Sequence, residues 1–133
     1  MSPDEVFLEK LLEALEKARL EALVVGATAA VMQGAPVLTS DIDILVRDTP
    51  SNRRKIDALC AVDVLFDRLA GGLTFESLRS RALRIPIRKQ TALVATLEDI
   101  IRSKEAAGRP KDQVHLLVLR DTLRVKKALE EKK

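Results

Sequence analysis

Two aspartates, Asp41 and Asp43, lie inside a short apolar run that is typical of a β-strand. Because successive side chains along a strand point to opposite faces, both carboxylates share one face, while Ile42 and Ile44 share the other. Two carboxylates on one face repel each other unless a cation lies between them, and a buried unpaired carboxylate is costly. The pattern predicts a divalent-metal site at the mouth of the strand. The alternative is a pair of strand-end carboxylates that form salt bridges with Arg or Lys.

A third carboxylate, Asp63, lies in another apolar run, residues 61–66. It is either part of the same site or a strand-edge residue that faces water. Upstream, the apolar run Leu23–Val25 ends at Gly26. One glycine after a strand is weak evidence for a ligand site, because glycine is equally expected at a strand-to-helix turn.

The composition limits the class of protein. The chain has 133 residues, of which 47% are hydrophobic and 32% charged, as expected for one compact domain. Three Phe with no Trp or Tyr provide few platforms for stacking single-stranded nucleic acid, and a net charge of +3 is too small for a dedicated nucleic-acid surface. The lone Cys60 excludes an intramolecular disulfide. With no signal peptide or membrane span recognised, the chain is expected to be cytoplasmic, with no membrane partner.

Hydrophobic periodicity predicts a single domain over residues 1–133, made of an N-terminal helix (3–20), a core of short strands and helices (21–96) and C-terminal helices (97–130). Gly108 and Pro110 mark a break between the last two helices. The first helix carries an apolar stripe that is either core or a dimer seam: Leu8, Leu11 and Leu15. Strands that alternate with helices predict an α/β or α+β class, with a short mixed sheet flanked by helices.

Taken in chain order, these motifs resemble the nucleotidyltransferase superfamily, with its polymerase-β-like fold in minimal form: Gly26-Ala27-Thr28, Asp41-x-Asp43 and Asp63. That family has a glycine- and serine-rich turn after its first strand, then a strand with Asp-x-Asp or Asp-x-Glu, then a third carboxylate on a neighbouring strand. Ala27 departs from this pattern, since the family usually has a second glycine there. The sequence around Gln33-Gly34 and over residues 99–112 resembles sequences of the bacterial branch that includes the type IV toxin-like nucleotidyltransferases.

The resemblance implies a metal-dependent transfer of NMP from an NTP to an acceptor hydroxyl, with release of pyrophosphate. It implies two Mg²⁺ ions, or Mn²⁺ in their place, held by three catalytic carboxylates: Asp41, Asp43 and Asp63. Of these, Asp63 would also help to accept the acceptor's proton. It further implies that the triphosphate is bound by the turn and by basic residues after the sheet: Gly26, Ala27, Thr28, Lys104, Arg109 and Lys111. Asp112 would orient one of these cations; the alternative for the basic residues is a solvated surface.

Acceptors in this family include proteins, tRNA and small molecules such as antibiotics. A chain this short points to a macromolecular acceptor, or to a partner protein or homodimer that completes the site. The alternative is a non-catalytic nucleotide-binding module of the same fold, such as one partner of a toxin–antitoxin pair. A glycosyltransferase that uses Asp-x-Asp is a third and less favoured option in so short a chain. His115, on a mostly apolar helix, is assigned to packing.

Overall fold

The computed structural model describes residues 3–37, 42–56 and 63–132. These residues form six helices and seven short strands, which are, in chain order, α1 (Pro3–Lys17), β1 (Leu23–Val25), α2 (Gly26–Met32), β2 (Asp43–Val46), α3 (Pro50–Ile56), β3 (Asp63–Phe66), β4 (Arg68–Leu69), β5 (Leu73–Thr74), α4 (Phe75–Arg81), β6 (Leu83–Ile87), β7 (Gln90–Val94), α5 (Leu97–Ala107) and α6 (Pro110–Glu131). The mixed α+β class that the sequence predicts is confirmed. None of these helices has both the length and the apolar character that a membrane crossing needs.

Five of the strands form a mixed sheet in the order β3-β2-β1-β7-β6. β1 pairs antiparallel with β2 and parallel with β7, β2 and β3 are parallel, and β6 and β7 are antiparallel. All three residues of β1 are buried, which explains why its sequence is a continuous apolar run without alternation. Pro86 lies in β6 at the edge of the sheet, where a residue without an N–H is tolerated.

Helices cover both faces of the sheet, and strand alternation decides which side chain meets which layer. On one face, α1 packs against Ile44 and Val46 of β2. The apolar stripe of α1 is therefore core: Leu8, Leu11 and Leu15 are 5–7% exposed. On the other face, Leu45 belongs to a larger core with α2, α4, α5 and α6. Because Asp43 alternates with Ile44, it points with Leu45 toward this second layer.

The two C-terminal helices meet at the break that the sequence marks. Gly108 ends α5 in a left-handed conformation, with φ +62°, and Pro110 lies in the first turn of α6. α6 then continues through the charged tail for 22 residues. Its inner face contributes Leu116 and Leu119 to the core, whereas its outer face leaves large apolar side chains exposed: Val114, Leu117, Val125 and Leu129.

Some details differ from the sequence-based expectation. α1 ends at Lys17 and not at residue 20, because Arg19 adopts a φ of +55° that turns the chain toward β1. A turn at Gly71-Gly72 joins two strands that the sequence does not predict, β4 and β5. Each has only two residues, too few to show a periodic pattern. Asp41 and Cys60 lie outside the described residues.

Candidate active site

Two carboxylates of the predicted site, Asp43 and Asp63, are neighbours across the sheet. Asp43 is the first residue of β2, Asp63 is the first residue of β3, and the parallel register pairs them directly. Side chains at paired positions of adjacent strands point to the same face, and such strands lie about 4.8 Å apart. Both carboxylates therefore lie together at the start of their strands, on the side of the sheet that α5 and α6 cover.

Gly26 lies against the Asp43 carboxylate. Its φ of +69° is left-handed, a conformation that glycine adopts without a steric penalty. A Cβ at this position would lie 2.6 Å from Asp43 Oδ2, well inside normal contact. The contact arises because β1 and β2 are antiparallel, so that Val25, the last residue of β1, pairs with Asp43. The carboxylate therefore requires glycine here, a role that the sequence-based interpretation of Gly26 as part of a phosphate-binding turn did not include.

A cavity of about 660 Å³ opens beside these carboxylates. It brings together residues from distant parts of the chain, among them seven of the predicted site residues: Gly26, Ala27, Asp43, Asp63, Lys104, Arg109 and Lys111. Thr28 is not part of the described lining. Much of the remaining lining is apolar and comes from the sheet, from β4 and from α5: Val25, Val64, Leu65, Leu69 and Ile100.

Asp112 organises the basic side of the cavity. Its fully buried carboxylate accepts hydrogen bonds from Arg109 Nε at 2.7 Å, from Arg109 Nη2 at 3.2 Å and from the Arg109 backbone N–H at 3.2 Å. Lys104 Nζ lies 3.4 Å from the same carboxylate. Since Arg109 and Asp112 flank the start of α6, the break between α5 and α6 creates this cluster. Asp112 thus contacts two of the predicted phosphate-binding cations, Lys104 and Arg109.

The opposite charges in this cluster stabilise the ionised forms of Asp112 and Arg109. Burial by itself would raise the pKa of the Asp112 carboxyl, but the hydrogen bonds from Arg109 and the charge of Lys104 outweigh burial and hold this pKa below its ordinary value. The side-chain hydrogen bonds to Asp112 raise the pKa of the Arg109 guanidinium, and the charges of Asp112 and Asp43 act in the same direction. Arg109 therefore stays a cation within electrostatic reach of Asp43.

The donor set at the carboxylates suits a hard divalent cation. Mg²⁺ prefers oxygen ligands and is often held by only one or two protein carboxylates together with substrate phosphates. Across residues 3–37, 42–56 and 63–132, no group of three or more His, Cys, Asp or Glu side chains is arranged to hold a metal ion. The described set is thus the pair Asp43 and Asp63, and Asp41 is the candidate third ligand. A pair of carboxylates fits a metal that shares its coordination with a bound phosphate.

His115 also lines the cavity, whereas the sequence-based interpretation assigned it to packing. It is partly buried, and its Nδ1 is buried without a hydrogen-bond partner in the described structure. Helical spacing offered a signal for it, because Lys111 and His115 are four residues apart on α6 and so share a face. Ser103, next to Lys104 on α5, is a second polar lining residue that was not predicted.

The arrangement combines acidic, basic and apolar groups around one cavity. Paired carboxylates bind divalent cations, and nearby Lys and Arg side chains bind phosphate, so the cavity can hold a metal–phosphate complex that also has an apolar part. Its volume lies within the range of small-molecule sites, roughly 300–1,000 Å³. Comparison of the sequence with protein-family models and with curated proteins gives no match in either case.

Proposed function

We propose that this protein is a metal-dependent nucleotidyltransferase, which transfers NMP from an NTP to an acceptor hydroxyl. The observation that carries the proposal is the direct pairing of Asp43 with Asp63 in a cavity that Lys104, Arg109 and Lys111 also line. Phosphoryl transfer needs this combination, because charge develops on phosphate oxygens and is stabilised by metal ions and cations already in position.

The carboxylate side of the cavity, with Asp43 and Asp63, is assigned to metal binding. Asp43 and Asp63, with Asp41 as the third ligand, would hold Mg²⁺ or Mn²⁺, and two such ions would neutralise phosphate charge and activate the acceptor hydroxyl. The protein contributes by holding these carboxylates in position. The parallel register keeps the two described carboxylates side by side, and Gly26 leaves the space that the Asp43 carboxylate occupies.

The basic side of the cavity, with Lys104, Arg109 and Lys111, is assigned to binding of the triphosphate. Asp112 takes two of the five guanidinium N–H groups of Arg109, which leaves the other groups for phosphate oxygens. Lys104 Nζ is held near Asp112 but carries three N–H donors. Lys111 is exposed at the same cavity and adds a further positive charge. These cations would bind and orient the phosphates before transfer, which is where most of the catalytic effect arises in such reactions.

The transfer step is an in-line substitution at the α-phosphorus. A bond forms between the acceptor oxygen and this phosphorus, the bond from phosphorus to the oxygen that bridges to the β-phosphate breaks, and pyrophosphate leaves with the electron pair. The acceptor's proton passes to the Asp63 carboxylate, which is exposed and can release it to water. The acceptor is the hydroxyl of a protein, a tRNA or a small molecule.

Calorimetric titration tests the binding part of the proposal. ATP, GTP, CTP and UTP are titrated, with and without Mg²⁺, into the wild type, Asp43→Asn and Asp121→Asn. Asp121 is exposed on α6 and outside the cavity lining, so Asp121→Asn is a matched control for the loss of one charge. We expect Mg²⁺-dependent binding of at least one NTP by the wild type and the control, and binding weaker by about tenfold or more for Asp43→Asn.

A pyrophosphate-release assay with the NTP that binds tests the transfer itself. Release by the wild type that disappears in Asp43→Asn and Asp63→Asn supports transfer. Binding without release, across protein, tRNA and small-molecule acceptors, supports the alternative function of a non-catalytic nucleotide-binding module, as in one partner of a toxin–antitoxin pair. Equal Mg²⁺-dependent binding by the wild type and Asp43→Asn would overturn the assignment of the site.

A further inference from the structure

The two ring nitrogens of His115 lie in different surroundings. Nδ1 is buried and has no hydrogen-bond partner among the described residues. Nε2 is not among the buried unpartnered atoms of the described structure, although His115 lines the cavity. Nε2 is therefore the nitrogen that a molecule in the cavity can reach.

This difference decides which nitrogen carries the proton. A neutral imidazole has one N–H and one lone pair, on either of its two nitrogens. A buried N–H without an acceptor is rarer in proteins than a buried acceptor without a donor. The proton therefore belongs on Nε2, and the lone pair faces the protein at Nδ1. In this tautomer His115 offers an N–H donor to a molecule in the cavity and does not act as a general base.

His115 lines the same cavity as a group of aliphatic side chains. It is one turn of α6, about 6 Å, beyond Lys111. Leu65 lies two residues, about 7 Å, beyond Asp63 on the same face of β3, and it is 41% exposed at the cavity. Besides the carboxylates and cations, the cavity thus has an apolar region, whose aliphatic walls include Leu69 and Ile100. A nucleotide has the same division, with phosphates at one end and a flat, largely apolar base at the other.

We propose that this apolar region holds the nucleobase and that His115 is the specificity-determining residue, donating from Nε2 to an acceptor atom on the edge of the base. This inference rests on the proposed function and assigns the nucleoside end of the NTP. The aliphatic side chains contact the faces of the base without choosing among bases. A single fixed donor does choose, because a base that presents a donor at that point leaves two N–H groups opposed and unpaired.

The test compares two ligands in the presence of Mg²⁺: the NTP that binds best, and inorganic tripolyphosphate, which has no nucleoside. The variants are His115→Ala, His115→Asn and His115→Gln. The Gln amide nitrogen lies near the position of Nε2 and keeps the donor, whereas the Asn amide reaches only about as far as Nδ1. We expect Ala and Asn to weaken NTP binding about tenfold, as for one hydrogen bond, and to reduce discrimination among the four NTPs. Tripolyphosphate binding should be unchanged, and Gln should retain most of the NTP affinity.

The two ligands separate failure of this inference from failure of the proposed function. A wild type that binds neither ligand would overturn both. Unchanged NTP binding in His115→Ala would overturn the role of His115 alone, and so would an equal loss of NTP and tripolyphosphate, which would make His115 a phosphate contact. Circular dichroism melting checks that each variant folds. If His115→Ala does not fold, the comparison of His115→Asn with His115→Gln decides the question.

Discussion

Replacement of Gly26 by alanine tests the contact between this residue and Asp43. The new Cβ would lie 2.6 Å from Asp43 Oδ2, about 0.8 Å inside the 3.4 Å at which ordinary contact begins. The carboxylate is the part that can move, by rotation, since both backbones belong to paired strands or their immediate ends. A misplacement of about 1 Å near the reacting groups costs about 100-fold in activity. The left-handed backbone adds about 1–2 kcal/mol of strain to the folded state.

Gly72→Ala is the matched control for this experiment. Gly72 has a φ of +71°, against +69° for Gly26, but a Cβ there meets nothing within 4 Å. In urea denaturation, we expect both variants to lose about 1–2 kcal/mol of unfolding free energy from the backbone strain. In the pyrophosphate-release assay, only Gly26→Ala should lose about 100-fold in rate. Equal rates for the two variants would refute the reasoning that the Asp43 carboxylate requires glycine at this position.

Three further predictions concern the hydrogen bonds and charge of Asp112 and the hydrogen bonds of Gln33. Asp112→Asn should lower the unfolding free energy in urea by about 3 kcal/mol, because Lys104, whose side chain is only 11% exposed, loses its counter-charge. The pKa of Asp112 is lower in the folded than in the unfolded chain, so its contribution is present above the unfolded value of about 3.9 and disappears as the pH falls through the folded value. The stability difference between wild type and Asp112→Asn should therefore shrink below about pH 4, and a constant difference down to about pH 2 would contradict this. Gln33→Ala should cost about 2 kcal/mol by the same assay, because the Gln33 amide donates to the Ala95 carbonyl at 2.8 Å and accepts from the Leu97 N–H at 3.1 Å. Gln113→Ala, on the exposed side of α6, should change stability by less than about 0.5 kcal/mol, and a similar loss in both glutamine variants would argue against the bridging role.

Local features of the sequence were sufficient to predict most of the elements. α5 ends at Gly108 and α6 begins at Pro110, because these residues act on the backbone within a single turn. The unbroken apolar run of β1 predicted a buried strand, and alternation placed Asp43 on the face away from Ile44. The pair Asp41 and Asp43 could be proposed as a site for the same reason, since residue type and alternation are both local.

Only the tertiary structure decided which distant residues meet. The apolar stripe of α1 predicted a buried face, but packing against Ile44 and Val46 decided that this face is core and not a dimer seam. The need for glycine at residue 26 follows from the antiparallel register of β1 and β2. The proposed role of His115 rests on the packing of α6 beside a cavity that the sheet and α5 also line. A sequence pattern records which face of an element is apolar or charged. The partner of that face depends on chain topology, because contacts between distant segments form only when the whole fold brings them together.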